Sequence, residues 1–252
     1  MMTGPTTRIP AVLPRAPIFF GSGLTHAGRV RESNEDSILT DPSGVVWAIA
    51  DGMGGYGHGD VASDIVIDCL SQLQDDALAA PELRMRLAEA NREVLLRARN
   101  QRLDGMGATV VAMMIQNAIA TVAWAGDCRA YLLRQGGLRL LTHDHTVVQD
   151  MIDQGLLDAR DRDDHPERHI VTRAVGALPE LEVDTVTVPL ISGDRLMLCS
   201  DGLTTCIGDQ QIASIINGAT DPEDVCATLV TKALESGAPD NVSVIAVFAR
   251  DG

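Results

Sequence analysis

Four aspartates stand where this sequence could do chemistry. They are Asp51, Asp127, Asp201 and Asp240, each at the end of an apolar run and each beside a glycine or an asparagine. The first closes Val45-Val46-Trp47-Ala48-Ile49-Ala50-Asp51 and is followed by Gly52-Met53-Gly54-Gly55. The β-formers in that run predict one buried strand that delivers a carboxylate to its own C-terminal end. The glycines would let the backbone take φ > 0 and come close to whatever that charge holds. Arg195-Leu196-Met197-Leu198-Cys199-Ser200-Asp201-Gly202 repeats the arrangement, and Trp124-Ala125-Gly126-Asp127 ends a third run. Pro239-Asp240-Asn241 sets a fourth acid just ahead of the apolar run 242–248. One such aspartate alone reads as a solvated turn residue. Four of them, far apart in sequence, predict convergence, and converged carboxylates repel one another unless cations sit among them. Hard oxygen ligands suit Mg²⁺ or Mn²⁺ rather than zinc.

Four such tips need a strand-rich frame, and the chain supplies one. Residues 1–17 carry Pro5, Pro10, Pro14 and Pro17, lack periodicity and read as a flexible tail. A short strand from Ile18 follows, then the polar stretch around Glu35 and Asp36, then a turn at Asp41-Pro42-Ser43-Gly44. Helices are predicted over 60–73 and 81–100. The first carries Val61, Ile65, Cys69 and Leu73 at four-residue spacing; the second carries Leu83, Leu87, Ala90 and Val94 on one face. Runs 109–115, 119–125, 130–133 and 138–141 read as an antiparallel meander, with turns at 116–117 and 136–137. A helix over 146–154 precedes 158–169, a segment dense in Asp, Arg and His that reads as a solvated loop. Strands over 181–188 and 195–200, helices over 209–216 and 221–234, and a strand over 242–248 complete the order. Asp221 suits the cap of the last helix and Pro222 its first position. No repeat or internal linker interrupts this order, so 18–250 reads as a single domain.

Composition narrows the function. A chain of 252 residues that is 45% hydrophobic can bury the core of one large domain. A formal charge of −15 argues against nucleic acid or an anionic membrane as partner. Cations at the acidic tips would cancel part of that charge. The five cysteines form no Cys-x-x-Cys pair and lie mostly in apolar surroundings, which points to a reducing compartment. No apolar run reaches transmembrane length and no signal-peptide core is visible, so a soluble cytoplasmic protein is expected.

Further motifs fall in a fixed order around the aspartates: Arg31-x-x-Asn34-Glu35-Asp36-Ser37, Asp51-Gly52-Met53-Gly54-Gly55, Gly126-Asp127-Cys128-Arg129, Ser200-Asp201-Gly202-Leu203 and Asp240-Asn241. With Asp144-His145-Thr146 and Thr172-Arg173-Ala174-Val175-Gly176, they make the chain resemble the bacterial branch of the type-2C metal-dependent (PPM) protein phosphatases from about residue 22 to 249. The resemblance implies an α+β fold, a four-layer α/β/β/α sandwich of two packed antiparallel β-sheets flanked by helices. It also implies hydrolysis of phosphoserine and phosphothreonine in proteins, opposing a bacterial Ser/Thr kinase.

The family's roles then fall on particular residues. Asp51 would bridge two Mn²⁺ or Mg²⁺ ions, with the Gly52 carbonyl on one and Asp201 and Asp240 completing the other. Glu35 and Asp36 would act largely through metal-bound waters, and Asp127 with Asp201 would support a third, weaker ion. Arg31 would grip the substrate phosphate with its planar fork. Two divalent ions roughly 3.5–4 Å apart can share a water and lower its pKa towards neutrality for in-line attack at phosphorus. Some relatives carry a histidine general acid two residues after the bridging aspartate; here Met53 stands there. A metal-bound water, His26 or His58 is left as proton donor, while His143, His145, His165 and His169 read as surface or packing residues. Arg129 reads as a brace for a nearby carboxylate or carbonyl, and Arg173 as a residue behind the site. The loop 158–169 corresponds to the variable flap of the bacterial relatives and is expected to bias substrate choice. The reading that competes with all this is a non-catalytic phosphoprotein-binding regulatory module of the same fold.

Overall fold

The computed structural model describes residues 16–54, 58–73, 79–103 and 105–252. The Pro-rich tail up to residue 15, and Gly55 of the glycine run, lie outside the described residues. In chain order the strands are β1 (Ile18–His26), β2 (Asp36–Thr40), β3 (Val46–Met53), β4 (Gly107–Gln116), β5 (Ile119–Ala125), β6 (Arg129–Arg134), β7 (Gly137–Leu140), β8 (Asp184–Pro189), β9 (Arg195–Cys199) and β10 (Val242–Arg250). The helices are α1 (Gly59–Leu70), α2 (Ala79–Gln101), α3 (Val147–Asp153), α4 (Asp201–Thr204), α5 (Asp209–Gly218) and α6 (Pro222–Glu235).

Two five-stranded sheets form, in the orders β1-β10-β9-β6-β7 and β2-β3-β4-β5-β8. Both are antiparallel throughout. Their facing sides share one apolar core: Trp47, Ile49, Val111 and Met113 from one sheet meet Leu196, Leu198, Ile245 and Val247 from the other. The outer faces are covered too. Ala48, Ala50, Val110 and Ala112 pack under α1 and α2, while Met197, Val244 and Ala246 pack under α4, α5 and α6. Strands β4 and β10 are therefore buried on both faces, which is why they read as continuous apolar runs rather than alternating ones. The result is the α/β/β/α sandwich that the resemblance implied.

Several predicted elements are redrawn. The run ending at Asp51 continues as strand through Met53, paired across to Gly107, so the aspartate sits inside the strand's last residues rather than at its tip. The buried stripe of α1 is Ala62, Ser63, Val66, Cys69 and Leu70, not the four-spaced series through Val61 and Ile65. A strict four-residue step drifts about 40° per turn on a helix with 3.6 residues per turn, so it cannot follow one face. Leu73 falls beyond the helix end. β8 begins at Asp184 rather than 181, with Leu181 and Val183 packed instead under the α1–α2 layer. The β6–β7 turn lies at Gln135-Gly136, both at positive φ. β2 and the four-residue α4 are not foreseen. The α2 face of Leu83, Leu87, Ala90 and Val94 is fully buried as expected. Asp221 caps α6 by accepting from the Asp224 N–H at 2.9 Å.

Candidate metal centre

The acidic residues come together because strand ends of both sheets meet at one end of the sandwich. β3 carries Asp51, flanked in register by Asp36 on β2 and Thr109 on β4. Asp127 follows β5 through Gly126, Asp201 opens α4 directly after β9, and Asp240 precedes β10. Gly202 permits the last approach: a Cβ there would lie closer to the Asn241 carbonyl oxygen than a hydrogen bond allows. Gly52 serves the same purpose, and its φ is not positive. A Cβ there would run into the Gly59 carbonyl and come within 2.6 Å of the Glu35 carbonyl oxygen. Its N–H also donates to that Glu35 oxygen at 3.0 Å. Close approach, not the left-handed backbone foreseen from sequence, explains this glycine.

One cleft of about 740 Å³ is lined by Arg31, Glu35, Asp51, Gly52, Asp127, Asp201 and Asp240. Asp36, the remaining expected residue, lies just beneath it at 5% exposure. Its Oδ2 accepts from Ser200 Oγ at 2.9 Å and Ser243 Oγ at 2.6 Å, whereas its buried Oδ1 has no hydrogen-bond partner among the described residues. Arg31 donates from Nη2 to Asp240 Oδ2 at 2.7 Å; it pairs with neither Glu32 nor Glu35. Asn241 ties the loop to the strand end. Its Oδ1 accepts from the Glu35 N–H at 2.8 Å, and its Nδ2 donates to the carbonyls of Ala27 and Ser33.

The electrostatics follow from burial and crowding. Burial, then Asp36, Asp201, Asp127 and Asp240, hold the Asp51 carboxyl well above the usual range. Burial pushes Asp36 up to about 7 against the opposing hydroxyls of Ser243 and Ser200. Burial with Asp201 and Asp144 pushes Asp127 up to about 8. Asp201 is raised by burial and Asp240, and Glu35 by burial and Asp60. Among the described residues no three such side chains close into a preformed cation cage. An orphaned buried oxygen, a cluster of acids raised by one another and a Cβ-less residue at the strand end all fit divalent cations with oxygen ligands.

Around this centre the other expectations divide. Arg129 braces Asp144 with Nε at 2.9 Å and Nη2 at 2.6 Å, a structural ion pair as read. Arg173 reaches Glu182 and Asp184 behind the site. His145 is buried against Trp124, and its Nδ1 accepts from the Gly126 N–H at 3.1 Å. Neither His26 nor His58 lines the cleft. His26 instead accepts from the Gly28 N–H. His169, read as a surface or packing residue, does line it, together with Arg168 and Thr205. The available signal was Arg168-His169, separated by two residues from Thr172-Arg173-Ala174, a motif already tied to the site.

A two-sheet sandwich that gathers buried carboxylates beneath an arginine is the architecture of a metal-dependent phosphatase. The chain belongs to the protein phosphatase 2C (PPM) family of serine/threonine protein phosphatases: residues 22–150 match the protein phosphatase 2C profile, and 154–249 match that of stage II sporulation protein E (SpoIIE). The serine/threonine phosphatase stp of Listeria monocytogenes is 36% identical over 234 residues, covering 88% of this chain and 93% of that protein. The catalytic domain of the phosphatase PstP, solved in complex with 2 manganese ions, superposes with a TM-score of 0.85 at 30% identity over 93% of this chain and 100% of that one. PppA of Pseudomonas aeruginosa, described as a key regulatory component of T6SS, gives 0.83 at 35% identity over 92% and 97%.

Proposed function

We propose that residues 18–250 act as one domain that removes phosphate from serine and threonine in proteins at a Mn²⁺ or Mg²⁺ centre formed by Asp51, the Gly52 carbonyl, Asp201 and Asp240. Two ions form its core. Asp127 with Asp201 would hold a third, weaker one, and Glu35 and Asp36 would act through bound waters. When bound, such ions supply Lewis acidity and a water acidified towards neutrality. The observation that carries the reading is the buried Asp36 Oδ1, without a partner among the described residues, beside acids that burial and then one another's charge push above their usual range.

The chain's own groups do the rest. Arg31 spends one N–H on Asp240, which aims the guanidinium along the cleft, and keeps its other donors for phosphate oxygens. Asn241 and Gly202 keep the Arg31–Asp36 loop and α4 close enough for the acids to act together. Met53 offers no proton, and His26 and His58 stand outside the cleft, so of the candidates foreseen from sequence only water in the site is left as donor, with His169 the one histidine that lines the cleft.

Physiologically the activity opposes a Ser/Thr kinase in the cytoplasm. Supporting this are five free cysteines and the lack, among the described residues, of any helix long and apolar enough to cross a membrane. The test is hydrolysis of a phosphothreonine peptide with added Mn²⁺. Chelation and Asp201→Ala are each expected to abolish turnover while the protein remains folded. Full activity surviving either one would reject the metal mechanism.

A further inference from the structure

The segment 158–169 reaches the cleft through Arg168 and His169, and its C-terminal end is tied down just beyond them, where the Ile170 carbonyl accepts from the Val147 N–H at 2.9 Å and the Thr172 N–H donates to the His145 carbonyl at 2.8 Å; the rest of the loop is held by much less. Its backbone hydrogen bonds are local, from Asp161 to Asp158, His165 to Arg162 and Arg168 to His165. Its other ion pair, Arg160 with Asp158, is internal and solvent-exposed. Arg168 and His169 form no ion pair among the described residues. Among the described residues, one side chain of the loop hydrogen-bonds to the body of the protein. Arg162 donates from Nη1 to Asp144 Oδ2 at 3.2 Å and from Nη2 to Gln149 Oε1.

Both partners are set to receive it. Asp144 is 6% exposed and already held by Arg129, so its carboxylate is fixed before the loop arrives. Gln149, on α3, spends its Nε2 on Asp153 at 2.7 Å, which turns its Oε1 towards Arg162. The pair lies beside a second recess of about 250 Å³ that shares Asp127, Asp201, Arg168 and His169 with the main cleft. A small phosphate ester occupies the centre alone, whereas a phosphorylated chain must also pass the loop.

We propose that Arg162 is a positioning residue. By its ion pair with Asp144 it pins loop 158–169 so that Arg168 and His169 flank the bound polypeptide, and it thereby favours phosphoproteins over small phosphate esters. The inference rests on the phosphatase centre proposed above. A partly exposed pair of this kind is worth a few-fold at most, so Arg162→Ala should raise KM for a phosphothreonine peptide about three- to fivefold. The kcat on that peptide, and both constants for p-nitrophenyl phosphate, should stay within about twofold. Arg162→Lys keeps the charge without the fork and should recover part of the loss. Arg160→Ala should change nothing. Hydrogen exchange supplies a readout independent of turnover: amides of 158–169 should exchange faster in Arg162→Ala and normally in Arg160→Ala. Gln149→Ala removes the second tie at no cost in charge and should shift the peptide KM in the same direction by less. Parallel changes on both substrates would overturn the proposal, as would unchanged peptide KM or unchanged exchange. An unmodified protein inactive on both substrates with Mn²⁺ would overturn the phosphatase centre itself, and this proposal with it.

Discussion

Loading the protein with Mn²⁺ at different pH values exposes the acidic cluster most directly. Without a cation the buried acids hold protons at neutrality, and a divalent ion must displace them. With Asp36 at about 7 and Asp127 at about 8, the first is about half protonated at pH 7 and the second about nine-tenths. Together they release roughly 1.4 protons when the centre fills, so apparent affinity should climb about 25-fold per pH unit around pH 7. By pH 9 these two contribute only about 0.1 proton, and the slope should be correspondingly shallower. Asp51, also held above the usual range by burial and the neighbouring carboxylates, adds to the release in the same sense.

Stability changes in the matching sense. A carboxyl raised by the fold is stabilised in its protonated form, so the contribution is present at low pH and lost as pH rises through about 7 and 8. The chelated protein should melt at lower temperature at pH 9 than at pH 6, and Mn²⁺ should close most of that gap. Calorimetric titration in two buffers of different ionisation enthalpy measures the protons released, and thermal scans with and without chelator measure the rest. Equal heats in both buffers at pH 7, with melting indifferent to pH, would refute the reasoning.

Two further outcomes follow from packing. Gly202→Ala sets a methyl group against the Asn241 carbonyl and forces α4 away from the Asp240 strand end; a displacement near 1 Å at such a site costs about 100-fold in kcat/KM, measurable with a small aryl phosphate at saturating Mn²⁺. Arg129→Ala leaves the buried Asp144 carboxylate without its bidentate partner and should cost about 3 kcal/mol in urea unfolding, with Arg162 holding the loss near the lower end for a broken buried pair.

How far the sequence could be read depends on the periodicity of each part. β3, β4 and β10 are long and apolar on both faces, so their existence was plain. α6 declares itself through Asp221, Pro222 and a buried stripe. α4 has four residues, too few for any period, and β2 is short and half-buried, so neither leaves a pattern. For α1 the expected stripe was displaced: Cys69 is buried, but Val61 and Ile65 only flank the core, and Ala62, Ser63 and Val66 form the fully buried line. Packing against β3 decides that, and packing is not written in local spacing.

The site divides along the same line. The aspartates were legible because each borders an apolar strand and stands beside a glycine or an asparagine. The residues that make them a centre were not, because they act across the fold. Asp36 belongs to one sheet, while Ser200 and Ser243, which donate to its Oδ2, belong to the strand ends of the other. That polar bridge joins the two sheets where the facing apolar core stops. Its geometry spends one carboxylate oxygen on fixing the sheets and leaves the other free for the centre. The same residue therefore sets the separation of the layers and supplies an unsatisfied oxygen to the acids on β3. Replacing apolar contact with hydroxyl-to-carboxylate bonds at that end weakens the sandwich locally. Acids this close together stay buried only when their charge is offset, by bound protons in the absence of metal or by the cation that displaces them.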